Sequence, residues 1–133
     1  MEIKDFGGKV HVMNVKDIAK ENETFRTAIW TGTKLQMTVM TIAAGVEMGI
    51  EVHNTEDQIY RIEKGEGRFE SGATKENLDN SVNFEKGDSI FVPAGEWHNI
   101  INTGAKAIKM SSVYGPAHHA FGTVHATAAD DVH

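Results

Sequence analysis

From Leu35 to Ile42 the chain reads Leu-Gln-Met-Thr-Val-Met-Thr-Ile, an alternation of apolar and polar side chains with the two-residue period of a strand that keeps one face in a core. Gln58 to Ile62 and Ser89 to Val92 are shorter β-rich runs bounded by glycine or proline. Turn signals separate such runs at Thr31-Gly32, Gly65-Glu66-Gly67, Ser71-Gly72, Lys86-Gly87-Asp88, Pro93-Ala94-Gly95 and Thr103-Gly104. Helical periodicity is confined to residues 15–22, where Val15, Ile18 and Ala19 share a face long enough for one or two turns. Short strands, frequent turns and no long amphipathic helix predict an all-β fold, an antiparallel barrel or sandwich. From Val124 onward the residues are small and polar, the composition of a frayed tail or of an arm laid on a partner.

Composition narrows the function classes. A chain of 133 residues is expected to form a single domain, 1–133, with a core that needs no covalent staples. The absence of cysteine removes disulfides, zinc-thiolate sites and thiol nucleophiles together. The first residues, MEIKDFGGKVHVMNVK, carry charges where a signal peptide would carry its apolar run, and nowhere do 18 apolar residues follow one another. The expectation is a cytoplasmic protein with no membrane partner. Net charge is −6 and the 13 basic residues are scattered, so no phosphate-tracking stripe exists and nucleic acid is not expected as a partner.

Candidate chemistry lies in two stretches. Glu51 and His53 are two residues apart, so on a strand they project from one face. Gln58 follows the turn-prone Asn54-Thr55-Glu56-Asp57 and can return to that face on the next strand. His98 follows the Pro93-Ala94-Gly95 turn at a strand start. Imidazole with a carboxylate is a usual shell for Fe(II), Zn(II), Mn(II) or Ni(II), which makes Glu51, His53, Gln58 and His98 candidate ligands of one divalent ion. Tyr60 shares the inward face with Gln58 and is, with Glu51, the candidate catalytic residue. Asn102 is read as a backbone clamp. Phe69, Phe91, Trp97 and Phe121 are read as core or interface aromatics. His118, His119 and His125 form a second histidine cluster; adjacent residues of a strand face opposite ways, so if that segment is extended His118 and His119 cannot both address one metal, and a structural or rim role is favoured.

These residues also carry a family resemblance. The pattern G-x5-P-x-G-x2-H-x3-N, met by Gly87, Pro93, Gly95, His98 and Asn102, resembles the second motif of the cupins. The first motif is met in spacing by Gly45, Glu51, His53, Gln58 and Gly65, with Glu51 where the family usually has histidine and Gln58 where it usually has glutamate. Both departures keep an oxygen donor, as a variant metal site would. The resemblance covers about Leu35 to Val113 and implies a double-stranded β-helix, a cupin jelly-roll barrel often paired as a homodimer. Residues 1–34 would then supply N-terminal strands or a dimer arm, and 114–133 a C-terminal tail. The whole chain is similar to small proteins called mannose-6-phosphate isomerase-like.

Four ligands on a six-coordinate ion leave two adjacent positions for a chelating substrate, or for substrate and O₂ side by side. Lewis-acid isomerase-type chemistry on a small hydroxy, keto or sugar-like molecule is favoured, because neutral Gln58 leaves the ion electrophilic. Fe(II)-dependent dioxygenase chemistry and a non-catalytic ligand-binding or sensing module are the alternatives. Arg61 faces outward by alternation, which argues against a sugar phosphate.

Overall fold

The computed structural model describes residues 2–131. Its helix α1, Val15–Glu21, starts where Asn14 caps it, the side chain accepting from the backbone N–H of Asp17. Ile18 and Ala19 are its buried face and pack on Ile29 and Val39, so the short helix covers the outside of a sheet. The strands follow as β1 (Arg26–Thr31), β2 (Gln36–Ile42), β3 (Asp57–Lys64), β4 (Glu66–Gly72), β5 (Asn80–Glu85), β6 (Ser89–Val92), β7 (Trp97–Asn102), β8 (Ile108–Gly115) and β9 (Val124–His125). They form a six-stranded sheet in the order β6-β3-β8-β2-β1-β9 and a three-stranded sheet in the order β5-β4-β7, and the pairs within both are antiparallel. This is the expected double-stranded β-helix. The alternating run at Leu35–Ile42 is β2, Gln58–Ile62 lies within β3, and Ser89–Val92 is β6.

Register divides the interior into layers. Gln36 pairs with Tyr114, Thr38 with Ser112, Met40 with Met110 and Ile42 with Ile108 across β2 and β8. Across β3 and β8, Gln58 pairs with Tyr114, Tyr60 with Ser112 and Ile62 with Met110. One end of the barrel is therefore lined by hydrogen-bonding side chains. The other is apolar, and Met40, Ile42, Met110, Ile108 and Ile62 join Phe69, Phe84 and Ile100 in its core. Burying the apolar end supplies the main driving force for closure, at about 25 cal/mol per Å² of apolar surface.

Chain direction at two corners depends on glycine. Gly65, between β3 and β4, has φ +93, and a Cβ there would meet the Ala107 carbonyl at 2.9 Å. Gly95, φ +86, completes the turn before β7 and donates its N–H to the His53 carbonyl at 2.9 Å. Asn102 is the clamp expected of it: its amide donates to the carbonyls of Ile42, Ala43 and Lys106.

Residues 124–131 are laid on their own chain. Val124 and His125 pair with Thr27 and Arg26, and Asp131 forms an ion pair with Arg26, so a buried cation on β1 holds what composition alone reads as a loose tail. Phe69 is core, whereas Phe91 and Phe121 are exposed and Trp97 is half-buried.

Candidate functional site

The segment from Val46 to Glu51 runs beside β7. Glu51 and His98 sit directly opposite each other and exchange both backbone hydrogen bonds, each 2.9 Å. Side chains of such a pair rise from the same face, about 5 Å apart at Cβ. His53, two residues on, joins them. Glu51, His53 and His98 each offer one ligand atom, all within 4.8 Å of one another, and all three residues are buried. Gln58 and Tyr60 face the same interior from β3 and are also buried. All five site residues named from the sequence thus point into the polar end of the barrel.

Their hydrogen bonds leave lone pairs for a ligand. Nδ1–H of His98 donates to the Glu96 carbonyl at 3.0 Å, which fixes the tautomer and leaves Nε2 as an acceptor. That nitrogen accepts a hydrogen bond from the Tyr60 hydroxyl at 3.1 Å. Gln58 donates from Nε2 to Ser112 Oγ at 2.7 Å, which turns its carbonyl oxygen away. That Oε1 and both ring nitrogens of His53 are buried without a hydrogen-bond partner among the described residues. Gln58 Oε1 and one lone-pair nitrogen of His53, together with the Glu51 carboxylate and His98, are a donor set for a divalent cation, and these residues fit one.

Protonation states agree with this. Burial opposes the Glu51 charge, but the His53 ring 3.6 Å away and the Arg26 guanidinium outweigh it and hold the carboxyl below the usual carboxylate range. Burial lowers His98, so the imidazole is neutral, as a ligand must be. Burial, then the nearby Glu51 charge, push Tyr60 well above the ordinary tyrosine value, so it stays a proton donor.

Three features of the site were missed from the sequence. Arg26, fully buried on β1, donates from Nη2 to both oxygens of Glu51 and from Nη1 to Asp131 and to His125 Nδ1. His118 lies over His53, ring centroids 4.2 Å apart, and its Nδ1 meets Glu56. His53, Glu56 and His118 form a second group with ligand atoms in reach of each other, at the rim. His118 and His119 are past the end of β8, not on a strand, so alternation does not separate them and both rings pack on Tyr114. Gln36 clamps this turn, accepting from both backbone N–H groups and donating to the His119 carbonyl.

Comparison with known proteins bears on the same residues. The family profile Cupin domain matches residues 38–114, which include Glu51, His53, Gln58 and His98. This chain is a cupin. Among its relatives, the uncharacterized protein YrkC of Bacillus subtilis is 46% identical over 98% of the cupin described here and 70% of its own length. The uncharacterized protein L612 of Acanthamoeba polyphaga mimivirus is 32% identical over 87% of this chain and 71% of its own. The crystal structure of BH2720 from Bacillus halodurans superposes with a TM-score of 0.94 at 41% identity, covering 96% of this cupin and 97% of that chain. No helix among the described residues is long and apolar enough to cross a membrane.

Proposed function

We propose that Glu51, His53, Gln58 and His98 hold one divalent ion, iron, zinc, manganese or nickel, and that this cupin acts on a small hydroxy or keto compound. The observation that carries the reading is that Gln58 Oε1 and the His53 ring nitrogens are buried without a hydrogen-bond partner among the described residues, with the ionised Glu51 carboxylate 3.6 Å from His53 Nε2. A buried polar atom left without a partner costs about 1–3 kcal/mol, and a shared cation would remove that cost from Gln58 Oε1 and from the one His53 nitrogen that carries a lone pair.

A bound ion would supply Lewis acidity and a template for two substrate oxygens. The residues around it favour isomerase-type proton transfer. Gln58 brings no charge, and Glu51 shares its charge with Arg26, so the donor set is electron-poor. With His98 Nε2 engaged as a ligand, the Tyr60 proton becomes available to a substrate oxygen. Two histidines and one carboxylate are also the donor set of Fe(II) oxygenases, which keeps dioxygenase chemistry as the second reading.

The protein is further read as a homodimer. Phe91 and Ile59 are register partners on the outer face of β6 and β3 and are 72% and 40% exposed, next to Val113 and Met37, which are half-buried beside the N-terminal segment and α1. An apolar row of that kind on a sheet face is suited to a second copy.

Protein purified without chelating resin, analysed for metal and then screened for hydroxy-keto exchange and for O₂ uptake, tests the function. Exchange without O₂ uptake is the expected result. O₂ consumption selects the dioxygenase, ligand capture without turnover selects a binding module, and absence of any bound metal contradicts all metal-dependent readings.

A further inference from the structure

The barrel interior holds a buried cation, Arg26, that is not itself one of the proposed metal ligands. Arg26 presents one edge of its guanidinium to Glu51 and, from Nη1, a 2.7 Å contact to Asp131 Oδ2. Its Nε is buried without a hydrogen-bond partner among the described residues, as is the hydroxyl of Tyr114, which faces the same charge. The two carboxylates on Arg26 are held very differently. Glu51 is locked by its double backbone pairing with His98. Asp131 stands just past a 3-10 turn at Ala128–Asp130, and the pairing before that turn is the two-residue strand β9.

We infer that Arg26 is the anchor for a carboxylate on the substrate, and that Asp131 occupies that place while it is paired with Arg26. The substrate is then a small hydroxy or keto acid. This rests on the preceding reading, that the polar end is the substrate site. A guanidinium matches a carboxylate in charge and donor geometry, and Nη1, the nitrogen Asp131 holds, is the one a substrate carboxylate would take over. Exchanging the Asp131 carboxylate for a substrate carboxylate leaves the charge around Arg26 unchanged. A neutral sugar arriving in its place would leave Arg26 with Glu51 alone, and a phosphate dianion would crowd Glu51 with two further charges. From the sequence, outward-facing Arg61 argued only against a sugar phosphate; the interior cation that bears on a carboxylate is Arg26.

The test titrates lactate and lactamide into the full chain by calorimetry, for the parent protein, Asp131→Asn and Asp131→Asn/Arg26→Lys, with metal content measured in every sample. A tethered carboxylate competes at millimolar effective concentration, so Asp131→Asn should bind lactate at least about tenfold more tightly than the parent. Lactamide affinity should be unchanged. Arg26→Lys keeps the buried charge that Glu51 needs but loses the fork, and should remove most of the lactate gain. Should the double variant fail to fold, the lactate-lactamide contrast in Asp131→Asn decides alone. Equal lactate affinity in parent and Asp131→Asn, an equal gain for lactamide, or a gain that survives Arg26→Lys would each overturn the anchor. Loss of the lactate preference at full metal content sinks this inference and leaves the metal site standing; lactate preference in protein that takes up no metal does the reverse.

Discussion

Arg26 donates to both carboxylate oxygens of Glu51, at 3.1 and 3.4 Å, with both side chains buried. Glu51 stands where cupins usually carry histidine, and the change comes with a buried cation that shares its charge. A site built this way gives up some ligand charge and gains a basic group inside the barrel.

Removing one member of a buried ion pair leaves the other uncompensated, so Arg26→Met is expected to cost about 3–5 kcal/mol in denaturant unfolding. Glu51→Gln should cost much less, because Arg26 retains Asp131. The Gln variant should keep the fold and much of the metal yet lose most turnover. Parent-level turnover in Glu51→Gln would make Glu51 structural only.

Tyr60→Phe removes the hydroxyl that His98 Nε2 accepts from, while keeping the buried ring. Metal content should be unchanged and turnover should fall by about 10²–10⁴, the usual contribution of a positioned acid or base. Turnover within a few-fold of the parent assigns proton transfer to another group.

Much of this was legible in the chain because it is local. The two-residue periods of β2 and β3 put Gln58, Tyr60 and Ile62 on one face, and positive φ at Gly45, Gly65, Gly87 and Gly95 answers to turns that the sequence marks. Arg26 was not legible. Nothing in Phe25-Arg26-Thr27 tells that both faces of β1 are covered, one by α1 and the other by the barrel interior, and a lone arginine is ordinarily a surface residue. Asp131 was hidden for a related reason, since its partner lies more than a hundred residues away in sequence. His118 and His119 were read with strand alternation that does not apply beyond Gly115.

Stability should fall in mild acid through His119. Burial, with the Arg26 charge behind it and then His118, lowers that imidazole to about 3, against an opposing contribution from Glu51. An unfolded histidine titrates near 6.5, so between about 6.5 and 3 the unfolded chain binds a proton that the folded one does not. The contribution is complete above about pH 6.5 and is lost progressively below it. Denaturant midpoints at about pH 7.5, 5.5 and 4.5 should decline less steeply in His119→Asn than in the parent; parallel slopes would remove His119 as the titrating group.

The outer-face row makes a separate claim. Light scattering of the full chain should give twice the mass of one chain, and Phe91→Asp, which places a charge in the exposed row, should give the mass of one chain with unchanged far-ultraviolet dichroism. A parent that is monomeric at micromolar concentration contradicts the dimer and leaves the barrel unaffected.

The metal content of protein reconstituted with Fe(II), Zn(II), Mn(II) or Ni(II), desalted and measured by mass spectrometry of the elements, tests the central claim. One ion per chain is expected in the parent, with a sharp loss in His98→Ala, because His98 supplies one of the two nitrogen donors. Full occupancy in the His53→Ala/His98→Ala double variant would contradict the site.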